Sequence, residues 1–314
     1  MIRKHLGRPG SAPLRYWLWR RDAGRDLRAA QKFATHQKKR VFDIQRFPIL
    51  DSAVSKTLFI LGSGWSVNEL TSGMLQHIGE HQSVGINFWF FHDFVPSAFS
   101  FDAGKVPVGE EDQVRASLQT LGGLFGRQEV RDANPKVLYL RPAQLDPDYL
   151  VPCPPELNDS SWVSGRANLL SRDPDSVEAD LRVLTKRAVL GKLPSGVLPD
   201  NGSSVVRLIF LALAQGFKDI VLVGIDLDTR PHFWFAPKYL ERYPDHVALF
   251  PDPDDQPHGT TEPANRALGN REFLAIMGKV LAEQGLAKLW VASPSSQLAE
   301  VLPQYPWPVE ITRD

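Results

Sequence analysis

Short apolar runs, each stopped by small or polar residues and separated by helical stretches, constrain this chain more than any other feature. TLFIL (57–61) runs into Gly-Ser-Gly and reads as a buried strand followed by a tight turn. SVGINFWFF (83–91), SAFSFD (97–102) and KVLYL (136–140) are further β-rich runs, DIVLVGID (219–226) is the strongest strand, and KLWVAS (288–293) is the last. Between them, GSSVVRLIFLALAQG (202–216) reads as an apolar helix capped by Asp200 or Asn201 and stopped by Gly216, and 263–285 as a helix ending at Gly285. Residues 227–261 are irregular and rich in Pro, His and aromatics. This alternation predicts an α/β fold built on a mostly parallel, doubly wound sheet.

Charge divides the chain in two. The formal net charge is zero, yet residues 1–50 carry 13 Lys/Arg against 3 Asp/Glu, a balance of +10, and the other 264 residues carry 23 against 33, a balance of −10. The expected organisation is therefore a basic N-terminal arm, 1–50, on an acidic body, 51–314. The arm reads as a basic helix with Trp17, Leu18, Leu27 and Phe33 among its Arg and Lys. Either it meets a partner or an anionic membrane surface, or it packs on the body through Trp17 and Leu18. Nucleic acid is not an expected partner, because the body is acidic and shows no reading module.

A hydrophobic fraction of 43% excludes wholesale disorder. With 314 residues the chain can bury a core without disulfides, and Cys153, its one cysteine, offers neither a disulfide nor a Cys-based zinc site. No run approaches ~18 consecutive apolar residues, the length of a membrane span. The start is too charged for a signal peptide, so a cytoplasmic protein, at most peripheral on the inner face of the membrane, is the expectation.

In a doubly wound sheet, ligands bind at the carboxyl ends of the strands. Gly62–Ser66, Asn87, Asp200–Ser204 and Ile225–His232 should converge there. Gly62 and Gly64 are placed where backbone amides could approach a phosphate or ribose, although a purely structural turn would look the same. Asn87, ending an apolar strand, is either a turn-former or a ligand contact. Asn201, Gly202 and Ser203 stand at a helix N-terminus suited to a carboxylate or phosphate. Asp226 ends its strand. His258, in the polar loop DDQPHGTTEPAN, reads as an idle surface histidine or as a general base. The other histidines have no metal-ligand spacing, and no metal site is expected.

Read together, these segments resemble the bacterial sialyltransferases of glycosyltransferase family 42, which use CMP-sialic acid. LFILGSGWSVNEL is similar to that family's first strand and nucleotide turn, and VGINFWFF to its Asn-bearing strand. NGSSVVRLIFLALAQGFKDIVLVGID is similar to its Ser-Gly helix and Gly-Ile-Asp strand, HGTTEPANRALGNREFLA to its His-bearing loop, and LWVASPSSQLAEVL to its closing strand and turn. The resemblance runs in order from 57 to about 303. It implies a Rossmann-like domain with a small lid at about 227–261, inverting and metal-independent transfer, no resident cofactor, and a homo-oligomer. Gly62, Ser63, Gly64 and Ser66 would contact the cytidine monophosphate with Asn87 nearby. Asn201, Gly202 and Ser203 would face the donor's carboxylate, and His258 would be the general base, with His232 a further histidine of the lid.

The chain departs from the family at several places. Ser63 replaces an Asn, and Asp102 replaces another, which would repel an anionic donor unless paired. Two lid tyrosines fall on Asp228 and Trp234, for which His232, Arg230 or Tyr239 could substitute. The implied function is transfer of a sialic-acid-like or Kdo-like sugar from a CMP donor to a bacterial surface glycan, as a membrane-associated step of polysaccharide biosynthesis. Two alternatives stand beside it. One is an MptE-like pyrophosphokinase using magnesium on Asp102, Asp226 and Asp228. The other is a non-catalytic sugar-nucleotide-binding member of a capsule-assembly complex.

Overall fold

The structure, a computed structural model, describes residues 12–36, 40–41, 50–102, 111–140, 151–169, 171, 173–250 and 268–309. Nine strands occur among them: β1 (Arg40–Val41), β2 (Thr57–Leu61), β3 (Gln82–Ile86), β4 (Ala98–Asp102), β5 (Lys136–Leu140), β6 (Ser161–Asn168), β7 (Val197–Asp200), β8 (Asp219–Val223) and β9 (Lys288–Val291). Eight form one sheet in the order β1-β6-β5-β4-β3-β2-β8-β9, and β7 pairs with the second half of β6. Every pairing is parallel. From β2 the chain steps outward through β3, β4, β5 and β6, then returns to the opposite side of β2 as β8. That reversal is where doubly wound sheets open a crevice.

Parallel strands are buried on both faces, and these are. In β2, Leu58 and Ile60 join one core cluster while Phe59 and Leu61 join the other. The first cluster is filled by α1 (Ala12–His36), α5 (Pro174–Val189), α6 (Ser204–Ala214) and α9 (Asn270–Glu283). The second takes α2 (Ser72–Gly79), α3 (Glu111–Phe125), α4 (Gln128–Ala133) and an aromatic layer from 88–91 and 233–250, where α7 (Pro237–Arg242) and α8 (Pro244–Val247) lie. The expected α/β, Rossmann-like, doubly wound sheet is what the chain forms.

Three expected strands end earlier than the sequence suggested, among them KLWVAS, which stops as β9 at Val291. β3 stops at Ile86, and NFWFF forms a 3-10 turn. β8 stops at Val223, so Gly-Ile-Asp belongs to the turn, with Gly224 at φ +63°. The helix of the basic arm packs on the body through Trp19, not through Trp17. Trp19 is 2% exposed and donates its Nε1–H to Ala167 O at 2.9 Å, whereas Trp17 is 58% exposed. Arg15, fully buried, pairs with Asp180 at 2.7 Å and ties α1 to α5.

Candidate functional site

A cleft of about 350 Å³ opens at the carboxyl ends of β2, β3, β4, β7 and β8, a size within the range of small-molecule sites. Gly62, Ser63, Gly64, Asn87, Asp102, Gly202, Ser203, Asp226, His232 and Trp234 all line it. Ser66 is buried and holds Asp226. Asn201 stands beside the cleft rather than in its wall, and its Nδ2 meets no partner among the described residues. His258 lies outside the described residues. Of the groups considered as lid substitutes, Arg230 and His232 line the cleft, while Tyr239 is buried against Phe233 and His92.

The Gly-Ser-Gly turn is explained by packing between strand ends. Gly62 N–H donates to Val223 O and Gly64 N–H to Gly224 O, both at 2.7 Å, so these amides extend the β2–β8 pairing instead of pointing at a ligand. A Cβ on Gly62 would stand 2.5 Å from Gly224 O, and one on Gly64 2.5 Å from Asp226 Oδ2. Both glycines are required because the two turns touch.

Two non-glycine residues on the cleft wall adopt left-handed backbone. Asn87, at φ +50°, accepts the Asp102 N–H on its Oδ1 at 2.9 Å, so it is a turn-former that also lines the cleft. Leu227, at φ +57°, has no such side-chain bond to favour the conformation and is the more strained of the two. Strain of this kind concentrates at functional sites.

Beneath the cleft lies a buried charge network that the sequence reading missed. Arg207 is fully buried in α6, an otherwise apolar helix. Its guanidinium pairs with Asp102, and its Nη1 lies 2.9 Å from Asp200 Oδ2, which Arg166 also meets at 3.1 Å. Ser204 donates its hydroxyl to Asp102 at 3.1 Å. The pairing of Asp102 with Arg207 removes the repulsion expected of a lone carboxylate at that place. A single Arg inside VVRLIFLALA was the available signal, since a buried cation needs a partner.

Asp200 does not cap α6 through a helical residue; its Oδ1 accepts from Gly202 N–H and Ser203 N–H at 2.8 and 3.0 Å. Ser203 is the N-cap residue, and its side chain makes no cap hydrogen bond. The first amides of α6 and the hydroxyl of Ser203 therefore form a polar wall suited to an anionic oxygen, while the Ser204 hydroxyl is spent on Asp102.

On the opposite wall, Asp226 accepts from Ser66 N–H at 2.8 Å and Ser66 Oγ–H at 2.5 Å, and Arg230 lies 3.4 Å away. Burial raises its carboxyl pKa, opposed by the Ser66 bonds and Arg230. Asp228 accepts from Arg230 Nε at 2.6 Å. His232 Nδ1 faces Ser63 O at 3.2 Å; a carbonyl only accepts, so Nδ1 carries the proton and Nε2 is the basic nitrogen of the neutral ring. The His232 ring stacks on Trp234 at 4.3 Å. Trp234 is 1% exposed, and its indole N–H finds no acceptor among the described residues. Phe88 and Phe250 complete an aromatic wall. Among the described residues, no three His, Cys, Asp or Glu side chains are grouped to hold a metal ion.

The chain matches no protein-family model and no curated protein. Two solved structures are similar to it: two variants of the sialyltransferase CST-II, each in complex with CMP. Both are 13% identical to this chain over 80% of its length, cover 87% and 86% of their own, and superpose with a TM-score of 0.40. So distant a likeness carries no weight for the function, and the site stands on its own geometry.

Proposed function

We propose that the cleft binds a CMP-activated acidic sugar, sialic-acid-like or Kdo-like, and that the protein transfers it with inversion to a glycan hydroxyl. One observation carries this reading. The nucleotide-turn, Asn-bearing, Ser-Gly and Gly-Ile-Asp segments, recognised separately in the sequence, meet around one cleft with the α6 N-terminus as its anion-binding wall.

In this reading the donor's carboxylate or phosphate lies against the Ser203 hydroxyl and the first amides of α6, and its base lies among Phe88, Trp234 and Phe250. The acceptor oxygen attacks C2 of the sugar, the C2–O bond to phosphate breaks, and CMP leaves with the bonding electron pair. The acceptor proton passes to a general base, for which His258 and His232 are the two candidates; His232 lines the cleft, with Nε2 as its proton-accepting atom. Asp102, Asp226 and Asp228, on which a magnesium-dependent pyrophosphokinase would draw, are each engaged by an arginine. That engagement favours the transferase.

Transfer from CMP-sialic acid and CMP-Kdo to an oligosaccharide acceptor tests the reading. Wild type should release CMP with formation of the glycoside, and whichever of His258→Ala and His232→Ala removes the base should lose about 10²–10⁴-fold in rate while keeping donor affinity. Full activity in both variants would exclude both histidines as the base.

A further inference from the structure

The two sides of α1 carry opposite chemistry. The side turned to the sheet presents Arg15, Trp19, Ala23, Ala30 and Ala34, all buried. On the far side, Leu14, Trp17, Arg21, Arg25, Arg28 and Lys32 fall within about 80° of arc at 100° per residue. All six are exposed, Trp17 at 58% and Leu14 at 43%. The Arg21 guanidinium lies over the Trp17 ring at 5.9 Å, and Asp22, the acidic neighbour, is paired with Arg25 at 2.5 Å. Asp26 is turned to the body, where it accepts from Arg166 N–H.

We propose that this outward stripe of α1 is a docking face for an anionic lipid surface, with Trp17 and Leu14 entering the interface and Arg21, Arg25, Arg28 and Lys32 resting on headgroup phosphates. The partner is a bilayer. A large exposed indole beside an exposed leucine, followed by a single-sign row of bases, suits the headgroup–acyl boundary, where amphipathic aromatic rings settle. The rest of the chain decides the orientation: residues 51–314 carry a balance of −10 and are repelled by an anionic surface, which leaves the α1 face as the approach. Because the opposite face of the helix is locked into the core through Trp19 and the Arg15–Asp180 pair, α1 docks without refolding. No described helix is long and apolar enough to cross the membrane, so this contact lies on the surface.

The test is co-sedimentation of the full chain with vesicles of phosphatidylcholine alone and of phosphatidylcholine with about one third phosphatidylglycerol, at low and physiological salt. Binding should require phosphatidylglycerol and weaken with salt. Replacing Arg25, Arg28 and Lys32 by Gln should lower the partition coefficient about fivefold per charge removed. Trp17→Ser should weaken binding without changing its salt dependence. All these positions are exposed, so unchanged thermal unfolding confirms that each variant folds. Three results would overturn the proposal: no sedimentation with phosphatidylglycerol at low salt, equal binding of the triple Gln variant, or loss of vesicle binding to a competing single-stranded oligonucleotide held through the same bases.

Discussion

The carboxylate of Asp226 accepts both the backbone N–H and the hydroxyl of Ser66, at 2.8 and 2.5 Å, and so joins the turn after β2 to the turn after β8. Gly64 lies against the same carboxylate, with room for no Cβ. The two turns on either side of the crossover are therefore one packed unit, and the cleft wall they form is preorganised.

This unit predicts a coupled stability effect. Asp226→Ala leaves the Ser66 donors unmet and should cost about 1–3 kcal/mol. Gly64→Ala should also destabilise, through contact with the carboxylate. Because Asp226→Ala removes the atoms that the new Cβ meets, the double variant should lose less than the two single losses combined. Urea unfolding of the four proteins measures this directly, and strict additivity would mean that the turns do not touch as described.

A second expectation concerns pH. Burial beside Trp89 and neighbouring Lys238 lowers the His92 pKa from 6.5 to about 4, while its Nδ1 accepts the Phe94 N–H. A folded pKa below the unfolded one means that the unfolded chain takes up the proton first as pH falls. Stability is thus intact above about pH 6.5 and lost between there and pH 4, by about 3 kcal/mol in total. In His92→Gln, unfolding free energies between pH 7 and 4.5 should fall less steeply than in wild type.

How much of this was legible in the sequence depended on how polar the buried parts are. TLFIL and KVLYL match β2 and β5 residue for residue, because continuous apolar runs are the signature of strands covered on both faces. SWVSGRAN did not read as a strand; Ser161, Ser164 and Arg166 break the apolar run, yet the serines are buried. α5 carries a sequence signal at its start, with Asp173 accepting from Ser176 N–H as N-cap and Pro174 at the first helical position. At the cleft, the strand-end residues were readable because a parallel sheet fixes where its carboxyl ends meet. The Arg207–Asp102–Asp200 network was not, since it joins β4, β7 and α6 across about a hundred residues of chain. The aromatic run NFWFF looked like strand by propensity; Asn87 in left-handed backbone turns it into a 3-10 turn.

The Arg15–Asp180 pair should matter far more than any surface ion pair on α1. Both side chains are buried, and Asp180 also accepts from Ser171 Oγ–H at 2.5 Å. Arg15→Met strands a carboxylate whose pKa burial already raises, and should cost about 3–5 kcal/mol at neutral pH. Removing the exposed Asp22–Arg25 pair should change stability by less than about 1 kcal/mol. Calorimetric melting of both variants distinguishes the two cases.

Trp234 separates binding from stability. Its indole N–H is buried without an acceptor among the described residues, so Trp234→Phe should leave thermal stability unchanged or slightly raised. If the base of the donor nucleotide supplies the acceptor, the same variant should bind CMP about fivefold more weakly, the equivalent of one neutral hydrogen bond.

Titration of CMP into the full chain by isothermal calorimetry, beside AMP, GMP and UMP and with and without magnesium, tests the central claim most directly. The account predicts one site that prefers CMP, keeps its affinity when magnesium is removed, and weakens in Trp234→Phe. Absence of CMP binding, or binding of a purine nucleotide only in the presence of magnesium, would contradict it.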